Sequence, residues 1–406
     1  MKVLIPFSYY YPEICAGIFV INDLVCKLAE QGIEAIIYVP TPTRNVCKGV
    51  EWKRDEYLYG GLVHIHRFRM YQEGKHAVFR ALRYVFCEFI YLFYMLRDKY
   101  DVAFIDSTPP IQGLKLPLVR LFRKKPVIYN AQDLFPDTLS GAGLASREGI
   151  LWKIGSWVAR MTFRNSNKII AISQDIKENL IRKGVEAEKI EVVYNWVDEK
   201  AIIPIPKADN PLFEEFGISR DKFIVVYAGN LGNAQNIDII VDAAVLLKCD
   251  EDIQFVIFGT GGLEESIRER ISSEHLVNLI LLPLQPYEKV SYVYSLGDVC
   301  IVSCKAGLGG SAMPSKTWSI MSCGRPVVAS FDEGELKDIL ESNDCGVFTR
   351  AGDLRGFVNA IKILNANRAR CVTMGMAGRK FILDNLTKEV GTQKYVDVIK
   401  CVIENK

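Results

Sequence analysis

Short apolar runs alternate along most of the chain with segments whose apolar residues recur at helical spacing. A run of about 4–8 apolar residues is typical of a buried strand, whereas apolar positions three and four apart indicate a helix that packs on one face. In the first half, these patterns predict strands at 2–7, 34–39, 62–68, 101–106, 127–130, 168–172 and 190–194. Helical segments separate most of these runs, and this alternation predicts a parallel sheet covered by helices.

The alternation stops in the proline-bearing segment 203–211 and restarts at Phe223. The second half has predicted strands at 223–228, 255–258 and 279–282, at a run that ends near Val302, and at 326–329. A chain of 406 residues exceeds what one hydrophobic core usually supports. The sequence therefore predicts an α/β protein with two Rossmann-like domains that face a cleft, and a linker between them at 203–211.

Charge is balanced overall but not along the chain. Residues 1–200 contain 28 Lys and Arg against 22 Asp and Glu, and the remainder contains 22 against 26. The excess of cations favours an anionic partner for the first half. The aromatic helical segment 79–100 and the basic, apolar segment 115–125 are either core or a peripheral membrane contact. Nucleic-acid binding fits less well, because the total charge is close to zero.

Cysteine use and apolar content point to a cytoplasmic location. The 11 cysteines form no C-x-x-C pair, as expected for reduced thiols, and Cys300 and Cys304 lack the further ligands that a zinc site needs. No uncharged run is long enough to span a bilayer, and no signal peptide is predicted before the first strand. We therefore expect a soluble or peripheral protein.

A loop of glycine and serine residues follows the strand that ends near Val302. Gly307, Gly309 and Gly310 allow backbone N–H groups to approach a ligand, and the next helix, predicted at 314–323, directs its positive end at the same place. Ser315 is predicted to cap this helix, and Lys316 adds a positive charge. The pattern predicts a phosphate or diphosphate site, although a tight turn explains the glycines equally well.

Two weaker patterns resemble metal sites. His64 and His66 share one face of the strand 62–68, an arrangement that can bind a metal but is more often structural. Asp250, Glu251 and Asp252 imitate an aspartate-rich metal motif, but they lie between a helix and a strand, on the side predicted to be remote from the cleft. We interpret them as a solvated turn, and the sequence assigns no metal ligand.

Four segments together resemble the family 4 glycosyltransferases of bacteria. Residues 314–328 resemble a P-S-K helix start followed by a C-G-x-P-V-V strand, and residues 8–17 resemble a P-P-E-I-G-G opening. Residues 131–144 and 195–198 resemble the family's D-L-W-P-E-S and N-G-V-D motifs. The segments AGNLGNAQNID, LPLQPYEKVS and VVASFDEGEL are similar to one branch, the O-antigen transferases of the L-fucosamine type.

This resemblance implies a GT-B fold and assigns a role to each domain. Residues 1–198 would bind the acceptor, residues 199–385 the nucleotide sugar, and residues 386–406 would form a helix that returns to the first domain. Asp133 would contact the reacting sugar or acceptor hydroxyl, unless it only caps a turn, and Lys316 would stabilise the leaving diphosphate. The implied donor-binding residues are Gly17, Asn230, Gly261, Leu284, Gly309, Gly310, Ser311, Met313, Ser315, Lys316, Ser319 and Glu335.

Within that set, some groups have a simpler explanation. Gly261 belongs to a G-T-G-G turn that is a weak phosphate signal by itself. Glu335, with Asp332 and Glu333, could bind donor hydroxyls or form an exposed helix start. The resemblance places the nucleobase pocket at 284–287.

The implied reaction retains the anomeric configuration of a UDP-sugar and requires no metal or other cofactor. The donor would be an N-acetylated deoxyamino sugar such as L-FucNAc, and the acceptor a lipid-linked glycan at the inner face of the cytoplasmic membrane. A NAD-dependent oxidoreductase would share the fold type, but the chain lacks the G-x-G-x-x-G fingerprint.

Four positions depart from the family pattern. Asn230 and Gln235 stand where many members have the cations that hold the diphosphate, and Ser311 and Ser319 stand where the family has two glutamates. One hypothesis is a branch in which Lys316, the helix dipole and backbone amides neutralise the diphosphate. The other is a chain that binds a sugar nucleotide without turnover, as an assembly partner.

Overall fold

The computed structural model describes residues 1–13, 16–43, 46, 50–71, 77–137, 149–311 and 313–405, with only the backbone given for residues 16, 77, 78 and 311. The chain forms two compact units. Unit 1 comprises Met1–Asn195 together with Glu389–Lys406, and unit 2 comprises Trp196–Lys388. None of the helices described combines the length and the apolar composition needed to cross a bilayer.

Unit 1 contains an eight-stranded sheet in the order β3-β4-β2-β1-β5-β6-β7-β8. Its strands are β1 (Lys2–Pro6), β2 (Glu34–Pro40), β3 (Asp55–Leu58), β4 (Val63–Phe68), β5 (Val102–Asp106), β6 (Val127–Ala131), β7 (Lys168–Ala171) and β8 (Ile190–Val192). β3 pairs antiparallel with β4, and the other pairings are parallel. The strand order reverses at β1, between β2 and β5, and parallel sheets bind ligands at such a switch point.

Helices cover both faces of this sheet. They are α1 (Ala16–Glu30), α2 (Ala77–Arg97), α3 (Leu116–Arg123), α4 (Ile150–Asn165), α5 (Gln174–Arg182) and, from the end of the chain, α14 (Lys388–Glu404). α14 packs beside α1, where Lys27 Nζ lies 2.5 Å from Glu389 Oε1 and Gln31 Nε2 donates to Gln393 Oε1 at 2.6 Å. The predicted serine cap of α5 is confirmed, because Ser173 Oγ accepts from the N–H of Ile176 at 3.1 Å.

Unit 2 contains a six-stranded, wholly parallel sheet in the order β11-β10-β9-β12-β13-β14. Its strands are β9 (Phe223–Asn230), β10 (Ile253–Thr260), β11 (Leu279–Leu282), β12 (Val299–Ser303), β13 (Val327–Phe331) and β14 (Gly346–Arg350). The helices are α6 (Leu212–Glu215), α7 (Asp238–Leu246), α8 (Glu264–Ser273), α9 (Val290–Leu296), α10 (Lys316–Ser322), α11 (Glu335–Ser342), α12 (Leu354–Ala366) and α13 (Arg368–Asn385). Phe223, Phe255 and Ile301 from three strands are fully buried in its core.

The predicted α/β architecture with two parallel-sheet domains is confirmed, but the predicted linker is wrong. The chain enters unit 2 at Trp196, before the segment 203–211. The N–H groups of Ile203 and Ile205 donate to Ser291 Oγ and Ser295 Oγ, each at 3.0 Å. The prolines in this segment therefore mark an extended stretch that is bound to α9, because its backbone hydrogen bonds are satisfied within the unit.

Candidate active site

Two loops of unit 2 meet where its strand order reverses. β9 lies between β10 and β12, so the loops that follow β9 and β12 flank the switch point at the carboxyl edge of the sheet. Ser303 Oγ donates to the carbonyl of Gln235 at 2.6 Å, and the N–H of Lys305 donates to the carbonyl of Ala234 at 2.9 Å. The two loops therefore form one continuous surface at the position where parallel sheets bind ligands.

Lys316 opens α10 and extends its ammonium group to the end of β9. Nζ lies 4.0 Å from the centre of the Tyr227 ring, a cation–π contact. No carboxylate in the described part of the chain pairs with this ammonium. The surrounding protein removes water from the charged form and lowers the pKa of Lys316 to about 7. The switch point thus holds a cation that lacks a counter-ion.

Gly229 makes room for this lysine. Its φ of +145° is one that residues with a side chain rarely adopt, and a Cβ at this position would lie 2.9 Å from Lys316 Nζ. The hydroxyl of the buried Tyr227 donates to the carbonyl of Asn230 at 2.8 Å and so holds the same turn. The backbone angle therefore favours glycine at 229, and a side chain there would also displace the ammonium group.

The two positions where family cations are missing contact each other. Asn230 Nδ2 lies 3.4 Å from Gln235 Oε1, and the two side chains flank Gly232. Asn230 is exposed at the end of β9. The polar pair carries no charge, and the ammonium of Lys316 lies beside Gly229 of the same turn.

Asp332 occupies part of the glycine loop after β12. Its Oδ2 accepts from the N–H of Gly307 at 2.7 Å and from the N–H of Gly309 at 2.8 Å. A Cβ on Gly309 would lie 2.8 Å from the Cβ of Asp332, so the close approach explains that glycine. Two of the N–H groups that were predicted to bind a phosphate therefore donate to the carboxylate of Asp332 instead. Gly310 is exposed, with no neighbouring atom where a Cβ would be.

The predicted serine cap of α10 is wrong. Ser315 has helical angles, φ −56° and ψ −27°, and its side chain makes no capping hydrogen bond. A capping residue is extended, so that its hydroxyl can reach the free N–H groups of the first turn. The helix begins at Lys316, after a turn in which the carbonyl of Pro314 accepts from the N–H of Thr317 at 3.0 Å.

The carboxylates after β13 have separate roles. Glu333 is exposed and pairs with Arg350, whose Nε lies 3.0 Å from Oε1. Glu335 begins α11 and is only 8% exposed, so the exposed helix start considered from the sequence does not describe it. Asp332 binds the glycine loop through its carboxylate. Among Asp332, Glu333 and Glu335, Glu335 is the buried residue.

Glycines of the loop after β10 pack against the loop after β9. A Cβ on Gly261 would lie within 2.8 Å of the backbone of Leu231, and a Cβ on Gly259 would lie 2.6 Å from Leu231 Cδ2. The N–H of Leu231 donates to the carbonyl of Thr260 at 2.9 Å. This backbone contact accounts for the glycines without a phosphate, and it braces the turn that carries Asn230.

The remaining donor-binding predictions in unit 2 lie in different environments. Leu284 is 49% exposed after β11, and Met313 is 7% exposed before α10. Ser319 is partly buried within α10, and Ser311 ends a single 3₁₀ turn with Gly309 and Gly310. Asp250, Glu251 and Asp252 form a turn at the amino end of β10, as predicted.

Unit 1 has a buried polar network at the carboxyl edge of its sheet. Asn130 Nδ2 donates to Asp106 Oδ1 at 2.9 Å, and the hydroxyl of Tyr395 donates to Asn130 Oδ1 at 3.0 Å. Gln132 exchanges hydrogen bonds of 3.1 and 2.6 Å with Asn195. Burial raises the pKa of Asp106 to about 7, with a smaller contribution from the charge of Asp133.

The two unit 1 residues predicted to contact substrate follow β1 and β6, which are separated in the sheet by β5. Asp133 follows β6, and its residue is exposed overall, although desolvation of its carboxyl raises the pKa of that group. Gly17 lies in the first turn of α1, where a Cβ would lie 3.3 Å from Cζ of Phe7. The segment 138–148, which completes the predicted loop at 131–144, lies outside the described residues.

The network contains residues that the sequence analysis did not single out. Asp106 and Asn130 end strands that are otherwise apolar, and a polar residue at the end of a buried strand is a signal that could have identified them. Tyr395 had no such signal, because its role depends on the return of α14 to unit 1.

Comparison with known families matches nearly the whole chain in two blocks. Residues 19–201 match the model of glycosyltransferase family 4, and residues 209–381 match the model of glycosyl transferases group 1. The boundary between the two matches lies close to the start of unit 2.

Two curated bacterial relatives have similar sequences. The glycosyltransferase WbjE of Pseudomonas aeruginosa is 24% identical over 247 residues, which are 61% of each chain. The colanic acid biosynthesis glycosyl transferase WcaI of Escherichia coli K12 is 26% identical over 358 residues, 84% of this chain and 86% of WcaI. The alignment with WbjE thus spans less than two thirds of that relative's length.

A solved structure has the same fold. The structure of HepE of Anabaena in complex with UDP superposes with a TM-score of 0.74 at 14% identity, over 99% of this chain and 100% of HepE. At this identity the likeness shows the two-domain fold and leaves the ligand of this chain to be argued from its own residues.

Proposed function

The chain belongs to the GT-B glycosyltransferases, with a family 4 amino-terminal domain and a group 1 carboxyl-terminal domain, and on this premise we propose that it moves a sugar from UDP to a lipid-linked glycan. The transfer would retain the anomeric configuration and serve the synthesis of O-antigen or another surface polysaccharide. The observation that carries the proposal is the ammonium of Lys316 at the switch point of unit 2, for which the described residues provide no counter-ion.

A diphosphate is the natural ligand for this position. Its negative charge would stabilise the ammonium of Lys316, which the surrounding protein separates from water. Charge-assisted hydrogen bonds are also stronger than neutral ones in such surroundings. HepE, which has the same fold, binds UDP. Gly310 is exposed in the loop that precedes Lys316, and its backbone N–H would add a donor to the anion site.

The proposed reaction uses this placement of Lys316. The bond between the anomeric carbon and the diphosphate oxygen breaks, and the acceptor hydroxyl forms a new bond to the same face of that carbon. The leaving diphosphate takes the proton of the hydroxyl, so no covalent sugar–enzyme bond is needed. Lys316 stabilises the negative charge that develops on the leaving oxygen, a contribution that a fixed cation makes best when water is excluded. We propose no metal in this step.

The edge of unit 1 offers groups suited to the acceptor. Asp133 is exposed at the end of β6 and can accept a hydrogen bond from a sugar hydroxyl. The network of Asp106, Asn130 and Tyr395 fixes the backbone beneath it. The donor sugar is proposed to be an N-acetylated deoxyamino sugar such as L-FucNAc, on the resemblance of the second half to that branch.

Exposed apolar side chains on unit 1 support an acceptor at a membrane. They lie on α2, α3 and α4, and the largest are Phe79, Phe86, Phe89, Phe93, Leu121, Phe122, Ile150, Leu151, Ile154 and Trp157. Beside Trp157, a cavity of about 450 Å³ is lined by Arg160, Arg164, Lys183, Lys189 and Glu186; Glu186 pairs with Lys189, and Lys183 pairs with Asp137. Apolar anchors next to clustered cations suit the headgroup region of an anionic bilayer.

The first test measures which nucleotide stabilises the full-length protein. Thermal unfolding is followed with UDP, GDP or NAD for the wild type, for Lys316→Ala and for the matched control Lys305→Ala, since Lys305 is an exposed lysine of the same loop. A ligand at about a hundred times its dissociation constant adds roughly 2.7 kcal/mol of stability. We expect UDP to stabilise the wild type and the control but not Lys316→Ala. A response to NAD alone would refute the proposal.

Turnover separates the enzyme from a binding partner, the alternative suggested by Asn230, Gln235, Ser311 and Ser319. UDP-sugars are incubated with lipid-linked acceptors, and the new linkage is examined by NMR. Transfer with a retained linkage supports the proposal. An inverted linkage would contradict the same-face reaction, and UDP binding without transfer from any UDP-sugar would favour the binding partner.

A further inference from the structure

The edge of the unit 1 sheet contains three metal-binding side chains that converge on one point. His64 and His66 lie on the same face of β4, and Asp55 lies opposite His66 on the antiparallel strand β3. His64 Nε2 is 2.9 Å from Asp55 Oδ1, and His66 Nδ1 is 2.6 Å from the same oxygen. The sequence supplied only the two histidines, and the pairing of β3 with β4 adds the carboxylate.

Aromatic neighbours hold both imidazole rings in this orientation. The ring of His64 stacks on Tyr57, with 4.5 Å between the centroids and an angle of 7° between the planes. His66 Nε2 lies 3.0 Å from the hydroxyl of Tyr94 on α2. A hydrogen bond to the remote nitrogen is the usual way in which proteins fix the tautomer and direction of a metal-binding histidine. It leaves Nδ1 of His66 directed toward Asp55.

We propose that Asp55, His64 and His66 bind one zinc ion. Two imidazole nitrogens and one carboxylate oxygen are ligands that Zn²⁺ prefers, and a water molecule completes the tetrahedron in sites with three protein ligands. The three ligand atoms lie within 4.8 Å of one another. In a tetrahedral site with bonds of about 2.1 Å, ligand atoms are about 3.4 Å apart, so small side-chain rotations suffice.

The burial of the site suits an ion that enters from solvent. The side chains of Asp55, His64 and His66 are 40%, 25% and 14% exposed. The ion would join β3 to β4 and, through Tyr94, to α2. β3 is an edge strand of four largely exposed residues, DEYL, and has little apolar contact to keep it paired. β2 separates β4 from β1, which borders the switch point, and we assign the ion a structural role rather than a part in sugar transfer.

The test uses the full-length protein after treatment with a chelator. Zinc uptake is measured by equilibrium dialysis, and Co²⁺ is used as a spectroscopic substitute whose visible absorption reports tetrahedral nitrogen and oxygen ligands. The variants are Asp55→Asn, His64→Gln and Tyr94→Phe, and the matched control is His275→Gln, an exposed histidine of unit 2. Stabilisation by UDP is measured in parallel, because it depends on unit 2 and not on this site.

We expect one zinc per chain in the wild type and in His275→Gln. Asp55→Asn and His64→Gln should lose the bound ion, and Tyr94→Phe should bind it about 10–100-fold more weakly, as found when the partner of a metal ligand is removed. Circular dichroism identifies any variant that fails to fold, and Tyr94→Phe retains all three ligands for that case. The proposal is overturned if the wild type retains no zinc, or if the ligand variants bind as much as the wild type.

Discussion

Lys316 combines a positive charge with surroundings that disfavour it. The ammonium lies over Tyr227 and beside Gly229 and has no carboxylate partner among the residues described. Desolvation lowers its pKa to about 7. In the free protein, this lysine therefore loses its proton as the pH rises through neutrality. A bound diphosphate reverses that tendency, because a nearby anion favours the charged ammonium.

This linkage predicts how nucleotide binding depends on pH. Between about pH 7.5 and 9.5, UDP is fully ionised, since the second phosphate ionisation lies near pH 6. Lys316 is mostly neutral in the free protein over this range, so binding must take up a proton. We expect the affinity for UDP to fall about tenfold per pH unit, with up to one proton taken up. Isothermal titration calorimetry in buffers of different ionisation enthalpy measures both quantities.

Two variants decide whether Lys316 causes this dependence. Lys316→Arg keeps a positive charge that does not titrate, so UDP affinity should become nearly independent of pH over the same range. The control Lys305→Ala should retain the slope of the wild type. A slope that persists in Lys316→Arg would assign the proton uptake to another group.

The glycine loop after β12 takes its shape from a carboxylate on the next strand. Asp332 follows β13 and binds the N–H groups of Gly307 and Gly309. Hydrogen bonds to a charged group contribute about 1.5–3 kcal/mol each. These two bonds are therefore strong enough to order the loop that leads into Lys316.

Asp332→Ala should weaken UDP binding about tenfold and increase amide hydrogen exchange at 305–311. The reason is that the loop would have to be ordered at the moment of binding. Glu333→Ala is the matched control, because it removes the adjacent carboxylate, which pairs with Arg350 at the surface. Tighter UDP binding by Asp332→Ala would instead mean that the carboxylate competes with the nucleotide for the amides.

The long helix α2 is held to its neighbour by a buried ion pair. Lys115 Nζ lies 2.6 Å from Glu88 Oε2, and the two side chains are 1% and 7% exposed. Burial raises the pKa of Glu88 and lowers the pKa of Lys115, so each charge depends on the other. Removing one partner leaves an isolated charge in the core.

Lys115→Met should lower the free energy of unfolding of unit 1 by about 3–5 kcal/mol. The double variant Glu88→Gln, Lys115→Met should recover much of this loss, because no isolated charge remains. Urea unfolding followed by circular dichroism gives both values. Arg268→Met is the control, since its pair with Glu264 is exposed and worth at most about 1 kcal/mol. Equal losses at the two sites would show that the burial of the pair has no energetic effect.

The sequence predicted the strands well because most of them are buried on both faces, and such strands are continuous apolar runs. The two edge strands β3 (DEYL) and β14 (GVFTR) were missed, because neither is a continuous apolar run. Lys316 could be identified from its place at the start of a helix after a glycine loop, but its lack of a partner among the described residues could not. The functions of Asp332 and Tyr395 depend on contacts 23 and 265 positions away along the chain. Local pattern contains no information on such contacts.

At the scale of the whole molecule, the helices of unit 1 expose many large apolar side chains. α2 buries Tyr91 and Met95 on one side, while Phe86, Phe89 and Phe93 remain more than half exposed on the other. The core interpretation of this helix therefore holds for one face, and the membrane contact of the other face stays a prediction. Helix α2 contacts α3, and α3 contacts α4, which carries Trp157 and Arg160 of the cavity.

Removal of apolar side chains from this surface should release the protein from vesicles. Leu121 and Phe122 are 65% and 66% exposed. The double variant Leu121→Ser, Phe122→Ser should bind vesicles rich in anionic phospholipid at least about tenfold more weakly than the wild type, with UDP binding unchanged. Sedimentation with the vesicles measures the difference. Val277→Ser, at an 81% exposed site of unit 2, is the control. Equal sedimentation of all three proteins would exclude this surface as the membrane contact.

Helix α14 belongs to unit 1 but follows all of unit 2 along the chain. On the ribosome, Asn130 is synthesised 265 residues before Tyr395, the residue whose hydroxyl binds it. At about 5–20 residues per second, that interval is roughly 13–53 s. Unit 2 is continuous in sequence and can fold during this time. Asn130 and Gln132 lack their hydrogen-bond partner Tyr395 until α14 has been synthesised. The unit that the ribosome makes first is therefore the one that is completed last.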